Sequence, residues 1–241
     1  MDDVVVLRYT EITLKGKNRG FFENLLLKNI RKTLQNHNVL FSYLKKTKGR
    51  ILVGFECKKE SERALCVLSS VFGVQSLSKG LLVEAEMENI KKASLEILDK
   101  SKFQTFRIST KRGDKSFSKT SNDVDREMGA FVVENFSKNV DLKNYQLEIK
   151  IEIFNGLALV SVETIPGAGG LPVGCGGKVF VGTGYANHLA AAYYMMKRGC
   201  VVVFYGRKNP DEKSLKYYNS GFPLGFIEAK EDLLGTMEEN A

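Results

Sequence analysis

The residues best suited to chemistry in this chain lie between positions 105 and 120. Lys111, Arg112, Lys115 and Lys119 surround a Gly113-Asp114 turn, Phe117 stands among them, and Arg107 precedes them in a β-prone run from Phe106 to Thr110. Cations neutralise phosphates and an exposed ring stacks on an unpaired base, a combination that suits single-stranded or end-of-helix RNA. The competing reading is a solvated basic hairpin with Phe117 packed beneath it, because charge runs are common on surfaces. Arg126, a few residues on, extends the same basic face unless it pairs with Asp123 or Glu127. A second basic group, Lys15, Lys17 and Arg19, sits between the first expected strand and the first helix, where contact with RNA competes with simple solvation; Asn18 is better placed to cap or turn that helix.

No nucleophile or metal site is legible. The four cysteines (Cys57, Cys66, Cys175, Cys200) form no Cys-x-x-Cys pair, and the two histidines, His37 and His188, are far from them in sequence. Most of the thiols are expected to be buried in a reducing cytoplasm. Cys175 lies in a glycine-rich stretch with no assignable basic partner, and is expected to be inert.

The elements that position these residues follow from 241 residues with 43% hydrophobic content, enough for one large domain or two to three small ones. A net charge of +8 favours a polyanionic partner without naming it. No apolar run of about 18 residues is present, so no membrane span is expected, and the Met1-Asp2-Asp3 opening is unlike a signal peptide. The first segment reads β-α-β-β-α-β. Strands are expected over 4–9, 39–44, 50–55 and 74–78, with helices through Phe21, Phe22, Leu25, Leu26 and Ile30 and over 60–71. That order is a ferredoxin-like sandwich over residues 1–79. An α/β unit follows over 80–165: a helix at 88–98, a strand at 103–110, the basic loop, a helix capped within Ser121-Asn122-Asp123, and a hairpin (146–154 and 157–163) turning at Asn155-Gly156. Residues 166–177 are glycine-rich and read compositionally as a flexible linker. From 178 to 241 a strand, a helix over 186–198 and a second strand make one βαβ unit, followed by a short helix, a strand at 222–227 and an acidic tail. The fold class is therefore α/β (α+β).

Three separated segments resemble one family, the tRNA 4-thiouridine synthetases (ThiI, or tRNA sulfurtransferases). Arg8-Tyr9-Thr10-Glu11-Ile12-Thr13-Leu14-Lys15-Gly16-Lys17-Asn18-Arg19 is similar to that family's opening motif, R-Y-G-E-hydrophobic-x-L-K-G-K-N-R, with Thr10 in place of a glycine. Lys111 to Phe117, with Thr120-Ser121 and Arg126 to Ala130, resembles its THUMP domain, an RNA-binding module. Gly167 to Gly174 looks like the junction into its nucleotide-binding domain, and Met196-Lys197-Arg198-Gly199 matches a helix end there. The resemblance implies a THUMP domain over 80–165 and a partial, Rossmann-like nucleotide (PP-loop) fragment over 178–241.

At the phosphate loop the likeness fails. Where the family reads S-G-G-x-D-S, this chain has Thr183, Gly184, Tyr185, Ala186, Asn187 and His188. Tyr185 replaces a glycine whose absent side chain lets backbone N–H groups close on a pyrophosphate. Asn187 and His188 stand where an Asp and a Ser are expected. The family's sulfur-transferring cysteines would lie beyond residue 241, and roughly 65 residues after Cys175 are fewer than a doubly wound domain needs. The expectation is a tRNA-binding protein that grips the acceptor end (3′ terminus), accessory to tRNA thiolation, without its own ATP pyrophosphatase or sulfur-transfer chemistry. The alternatives are a shortened sulfurtransferase or adenylating subunit completed by another chain, and an interaction protein for an acidic partner. No metal is expected, and no cofactor, ATP entering only if residues 183–188 remain competent. Expected partners are the tRNA acceptor end, a separate catalytic subunit, and a second copy docking through the C-terminal fragment. The expected location is the cytoplasm.

Overall fold

A computed structural model describes residues 1–229 apart from 48, 100, 212 and 217. Its first half is built on β1 (Asp2–Arg8), α1 (Arg19–Asn36), β2 (Tyr43–Thr47), β3 (Arg50–Phe55), α2 (Lys58–Leu68) and β4 (Ser76–Glu84), with strands in the antiparallel order β2-β3-β1-β4. Strand alternation sends Val5, Leu7, Ile51 and Val53 under the helices, where Leu26, Ile30, Leu34, Ala64 and Leu68 complete a core. Two expectations are corrected here. Phe21 is 58% exposed, and Glu23 takes a buried place on α1 instead. The second strand starts at Tyr43 and not at Val39, because Asn38 turns the chain at a φ of 52° and Val39 packs into the core. Lys45 and Lys46 therefore lie within β2, beyond the expected strand end at 44.

The β4 strand carries the sheet onward. It pairs with β1 over Ser76–Leu82 and, on its other edge, with β8 over Gly80–Glu84. The added elements are α3 (Met87–Leu98), β5 (Thr105–Arg112), α4 (Ser121–Phe136), β6 (Asn139–Val140), β7 (Leu147–Phe154), β8 (Leu157–Ser161) and β9 (Ile165–Pro166). The complete order is β2-β3-β1-β4-β8-β7-β5-β6, with β9 against the start of β4. Positions 79 and 80 thus fall inside a strand shared by two cores. The second core packs Ile90, Phe106, Ile108, Val124, Met128, Ile149 and Ile151. Asn155 and Gly156 turn β7 into β8 with φ of 50° and 72°, the positive pair that this tight hairpin requires.

All four helices cover one side of the nine-stranded sheet, and the other side folds in on itself. Glu152 on β7 accepts from Arg8 on β1 and lies 3.1 Å from the Arg50 guanidinium on β3. Flat strands four places apart would be separated by roughly 19 Å, so the sheet must be strongly curled. Val4, Val6, Leu52, Leu82, Phe154 and Leu159 are buried on this inner face. Gly80 sits at the fold, where a Cβ would run into the carbonyl oxygen of Val160.

A separate parallel sheet, order β10-β11-β12, follows: β10 (Lys178–Gly182), α5 (His188–Lys197), β11 (Val201–Gly206), α6 (Lys213–Lys216) and β12 (Gly225–Glu228). Val181, Val202 and Phe204 pack with α5 and Phe72, whereas Phe180, Val203 and Ile227 on the other face are half-exposed. The glycine-rich segment is not loose. Leu171 N–H donates to Lys197 O at 2.9 Å, Gly174 and Gly176 donate to Gly199 O at 2.8 and 2.9 Å, and Asn29 Nδ2 donates to Val173 O at 3.0 Å. Gly170, at a φ of 75°, lies so close to the Lys197 carbonyl that no side chain fits, which explains the glycine better than flexibility does. The acidic tail lies outside the described residues. Cys57 and Cys66 are exposed, contrary to expectation, while Cys200 is buried. No helix among the described residues is long and apolar enough to cross a membrane.

Candidate RNA interface

The basic loop leaves β5 at Arg112 and enters α4 through a reciprocal cap. Thr120 Oγ1 accepts from Asp123 N–H at 3.2 Å, and the Asp123 carboxylate accepts from Thr120 N–H at 3.1 Å. The cap is therefore one residue earlier than expected. Its hydrogen bonds from the Thr120 hydroxyl and N–H hold the Asp123 carboxyl below the usual range.

Within this frame the cations have different duties. Lys111 and Lys115 are exposed and have no ion-pair partner among the described residues. Arg126 is also exposed and unpaired among the described residues: Asp123 is held by Thr120, and Glu127 is taken by Lys119 and, at 3.0 Å, by Lys91. Lys119 is thus neutralised. Arg112 turns inward, its Nη1 donating to the carbonyls of Phe117 at 3.1 Å and Lys119 at 3.0 Å, and so closes the loop. Phe117 packs half-buried against the second core. Arg107 does not reinforce the face of Arg126. Phe106 and Ile108 point into the core under α4, so Arg107 points to the opposite side of β5. There it pairs with Glu148 at 2.5 Å, its guanidinium 4.2 Å from the Tyr145 ring centre.

The N-terminal group is similarly divided. Residues Glu11–Asn18 wind as a 3-10 turn broken at Gly16, at a φ of 51°. Lys17 is exposed, and Lys15 lies over the Phe22 ring at 5.0 Å. Arg19 is structural, binding Glu23 at 2.6 Å beside Tyr9, whose hydroxyl donates to Glu23 at 2.5 Å. Burial opposes ionisation of Glu23, but hydrogen bonds from Tyr9, Arg19 and Lys46 outweigh it and hold the carboxyl below the usual range. Arg198 at the end of α5 reaches Glu11 at 3.4 Å, tying the C-terminal sheet to this turn.

Two features escaped the sequence reading. A groove of about 630 Å³ runs along α4 past Arg126, Gly129, Val133, Val140 and Leu142. Its far wall depends on β6, too short to leave a periodic signal. On α1, Phe21, Lys28 and Arg31 share the solvent face with no carboxylate partner among the described residues. The helical period that revealed the core face also predicts that stripe.

The turn at 182–188 is closed by its own residues. Thr183 N–H donates to Tyr205 O at 2.9 Å, and Thr183 Oγ1 packs against Gly206. The carbonyl of Tyr185 accepts from the His188 N–H at 3.3 Å and from its Nδ1 at 2.6 Å, and the imidazole lies edge-on to Phe204 at 6.3 Å. The Tyr185 ring lies beside Gly182, and Asn187 makes no side-chain cap. A Cβ on Gly184 would meet open space. Tyr185 is 78% exposed, and the N–H of His188, which opens α5, is already bound to the Tyr185 carbonyl. Cys175 is half-buried, and burial pushes its thiol up.

Comparison with known proteins bears on the whole arrangement. Residues 4–78 match the ThiI ferredoxin-like domain and residues 84–163 the THUMP domain. A probable tRNA sulfurtransferase of Thermococcus kodakarensis is 33% identical over 260 aligned positions, covering 99% of this chain and 68% of that protein. One from Caldanaerobacter subterraneus is 38% identical over 204, covering 84% of this chain and 52% of its own length. Several of the curated relatives that the chain matches are thus about twice as long as the matched part. Among solved structures, PH1313 of Pyrococcus horikoshii superposes with a TM-score of 0.84 at 30% identity, covering 99% of this chain and 84% of that one. A 4-thiouridine synthetase–RNA complex with bound ATP superposes at 0.78 and 30%, covering 95% of this chain and 62% of that one. With these two domains joined on one continuous sheet and this likeness running through its length, the chain belongs to the tRNA sulfurtransferase (4-thiouridine synthetase) family.

Proposed function

We propose that this protein binds the acceptor end of tRNA, gripping the 3′ terminus through its THUMP and ferredoxin-like halves, as an accessory to tRNA thiolation in the cytoplasm. The observation that carries the reading is the set of exposed cations around this loop with no ion-pair partner among the described residues. Lys115 projects from the loop, Arg126 stands on α4 about 9 Å along the axis from the loop's end, beside an apolar groove open to a nucleobase, and Lys111 stands near the end of β5 on the opposite face, in register with Glu152. Lys15 and Lys17 supply a second basic patch; Arg19, Arg107, Arg112 and Lys119 support the contact through their internal pairs. The self-closed turn at 182–188 supports the further reading that this site performs no ATP pyrophosphatase step and no sulfur transfer.

Binding of a tRNA acceptor minihelix, with and without its unpaired 3′ end, tests this. Contact with six or more phosphates predicts an affinity falling about a thousandfold or more between 50 and 200 mM salt. Equal binding after removal of the 3′ end refutes the terminal grip. Pyrophosphate release from ATP in the presence of tRNA refutes the inert turn.

The half-exposed face of β10-β11-β12 favours a second reading for that region alone: it docks a separate catalytic subunit or a second copy of this chain. A monomer by light scattering at micromolar concentration argues against the second copy.

A further inference from the structure

We propose that Asp114 is a positioning residue of the RNA contact: its carboxylate fastens the cationic loop to the β7–β8 turn and so sets where Lys115 presents its charge. The proposal rests on the RNA reading above. Asp114 is the sole acidic residue between 111 and 120, and a carboxylate among cations offered to phosphate weakens that offer. Geometry accounts for its presence. One oxygen accepts from Ser116 N–H at 3.0 Å and Ser116 Oγ at 2.7 Å, and the other accepts from Gly156 N–H at 2.9 Å. The N–H groups of Gly113 and Asp114 donate to Ile153 O at 2.8 and 3.3 Å, so backbone and side chain anchor the loop to the same hairpin. Hydrogen bonds from the Ser116 hydroxyl, the Ser116 N–H and the Gly156 N–H hold the carboxyl below its usual range, so it is ionised at neutral pH.

The fastening continues into the other half of the sheet. Asn155, the neighbouring turn residue, donates from Nδ2 to Thr47 Oγ1 at 2.5 Å. Thr47 ends β2, the strand that carries the exposed Lys45 and Lys46. Loop, turn and β2 therefore form one connected path, with cations from both halves at its ends.

Charge and positioning predict opposite signs. As a charge alone, Asp114 repels phosphate, and removing it tightens RNA binding. As a fastener, removing it frees the loop and weakens binding. Asp114→Asn keeps the shape, but its NH₂ can no longer accept, so either Ser116 or Gly156 loses its acceptor. The expected result is an acceptor minihelix bound about fivefold or more weakly, with a log–log salt slope shallower by about one phosphate contact. Asn155→Gly, which tolerates the positive φ without the amide, is expected to weaken binding in the same direction. Melting curves establish that each variant is folded at the assay temperature; if Asp114→Asn is not, Ser116→Ala replaces it, with weaker binding again expected. Affinity equal to or tighter than that of the parent, in a folded variant, overturns the proposal. A parent that fails to bind the minihelix at low salt defeats the RNA reading itself.

Discussion

Changing Glu152 to Gln removes one charge from the point where the curled sheet meets itself. Glu152 lies between Arg8 and Arg50, and the side chains are 12%, 20% and 14% exposed. Breaking a buried ion pair by removing one partner costs about 3–5 kcal/mol. Two features moderate that here. Arg8 keeps Ser78 Oγ at 3.0 Å, and the Arg50 guanidinium stays 4.1 Å from the Phe154 ring centre; residual solvent access also screens the two guanidiniums. The expected loss is about 2–4 kcal/mol, a large part of the stability of an ordinary domain. In urea, with a slope of about 2–3 kcal/mol per molar, the midpoint should fall by about 1 M. Because this contact joins β1 and β3 to β7, tryptic digestion in mild urea should also release the first half of the sheet sooner. Replacing all three residues, Arg8→Met, Arg50→Met and Glu152→Leu, should restore most of the loss, since an apolar core of similar volume avoids burying charge. A midpoint within about 0.2 M of the parent for Glu152→Gln would refute the idea that this cluster holds the two halves together.

Further outcomes follow from the same geometry. Arg126→Ala should weaken minihelix binding and lower the salt slope by about one contact while leaving the melting temperature nearly unchanged, because the side chain is exposed and unpaired; a large drop in melting temperature would show a structural role instead. Tyr43 offers a test of alkaline stability. Burial, then the nearby Asp2 carboxylate, raises its hydroxyl to about 12, above the ~10 of an unfolded chain. The folded form therefore retains a proton that the unfolded form has lost between those values. This stability is fully present below pH ~10 and falls as pH rises toward 12. Urea midpoints across that window should fall less steeply for Tyr43→Phe than for the parent; identical slopes would contradict the buried hydroxyl.

Much of the arrangement is local and was legible in the residue pattern. The apolar runs Val4–Leu7 and Ile51–Val53, the helical spacing through Leu26 and Ile30, and the Asn155-Gly156 turn each act over a few residues, so they identify strand, helix and hairpin directly. The cations of the basic loop were likewise readable, because residue type alone states their charge. What tertiary structure alone decided is which cations remain free. Arg107 is taken by Glu148, Lys119 by Glu127 and Arg19 by Glu23, leaving Lys111, Lys115 and Arg126 without such partners among the described residues. Fusion of the two halves through β4 was also beyond the pattern, as was the meeting of residues 8, 50 and 152. Strand order and curl bring those groups together across more than a hundred residues, and no periodicity along the chain records which edges pair.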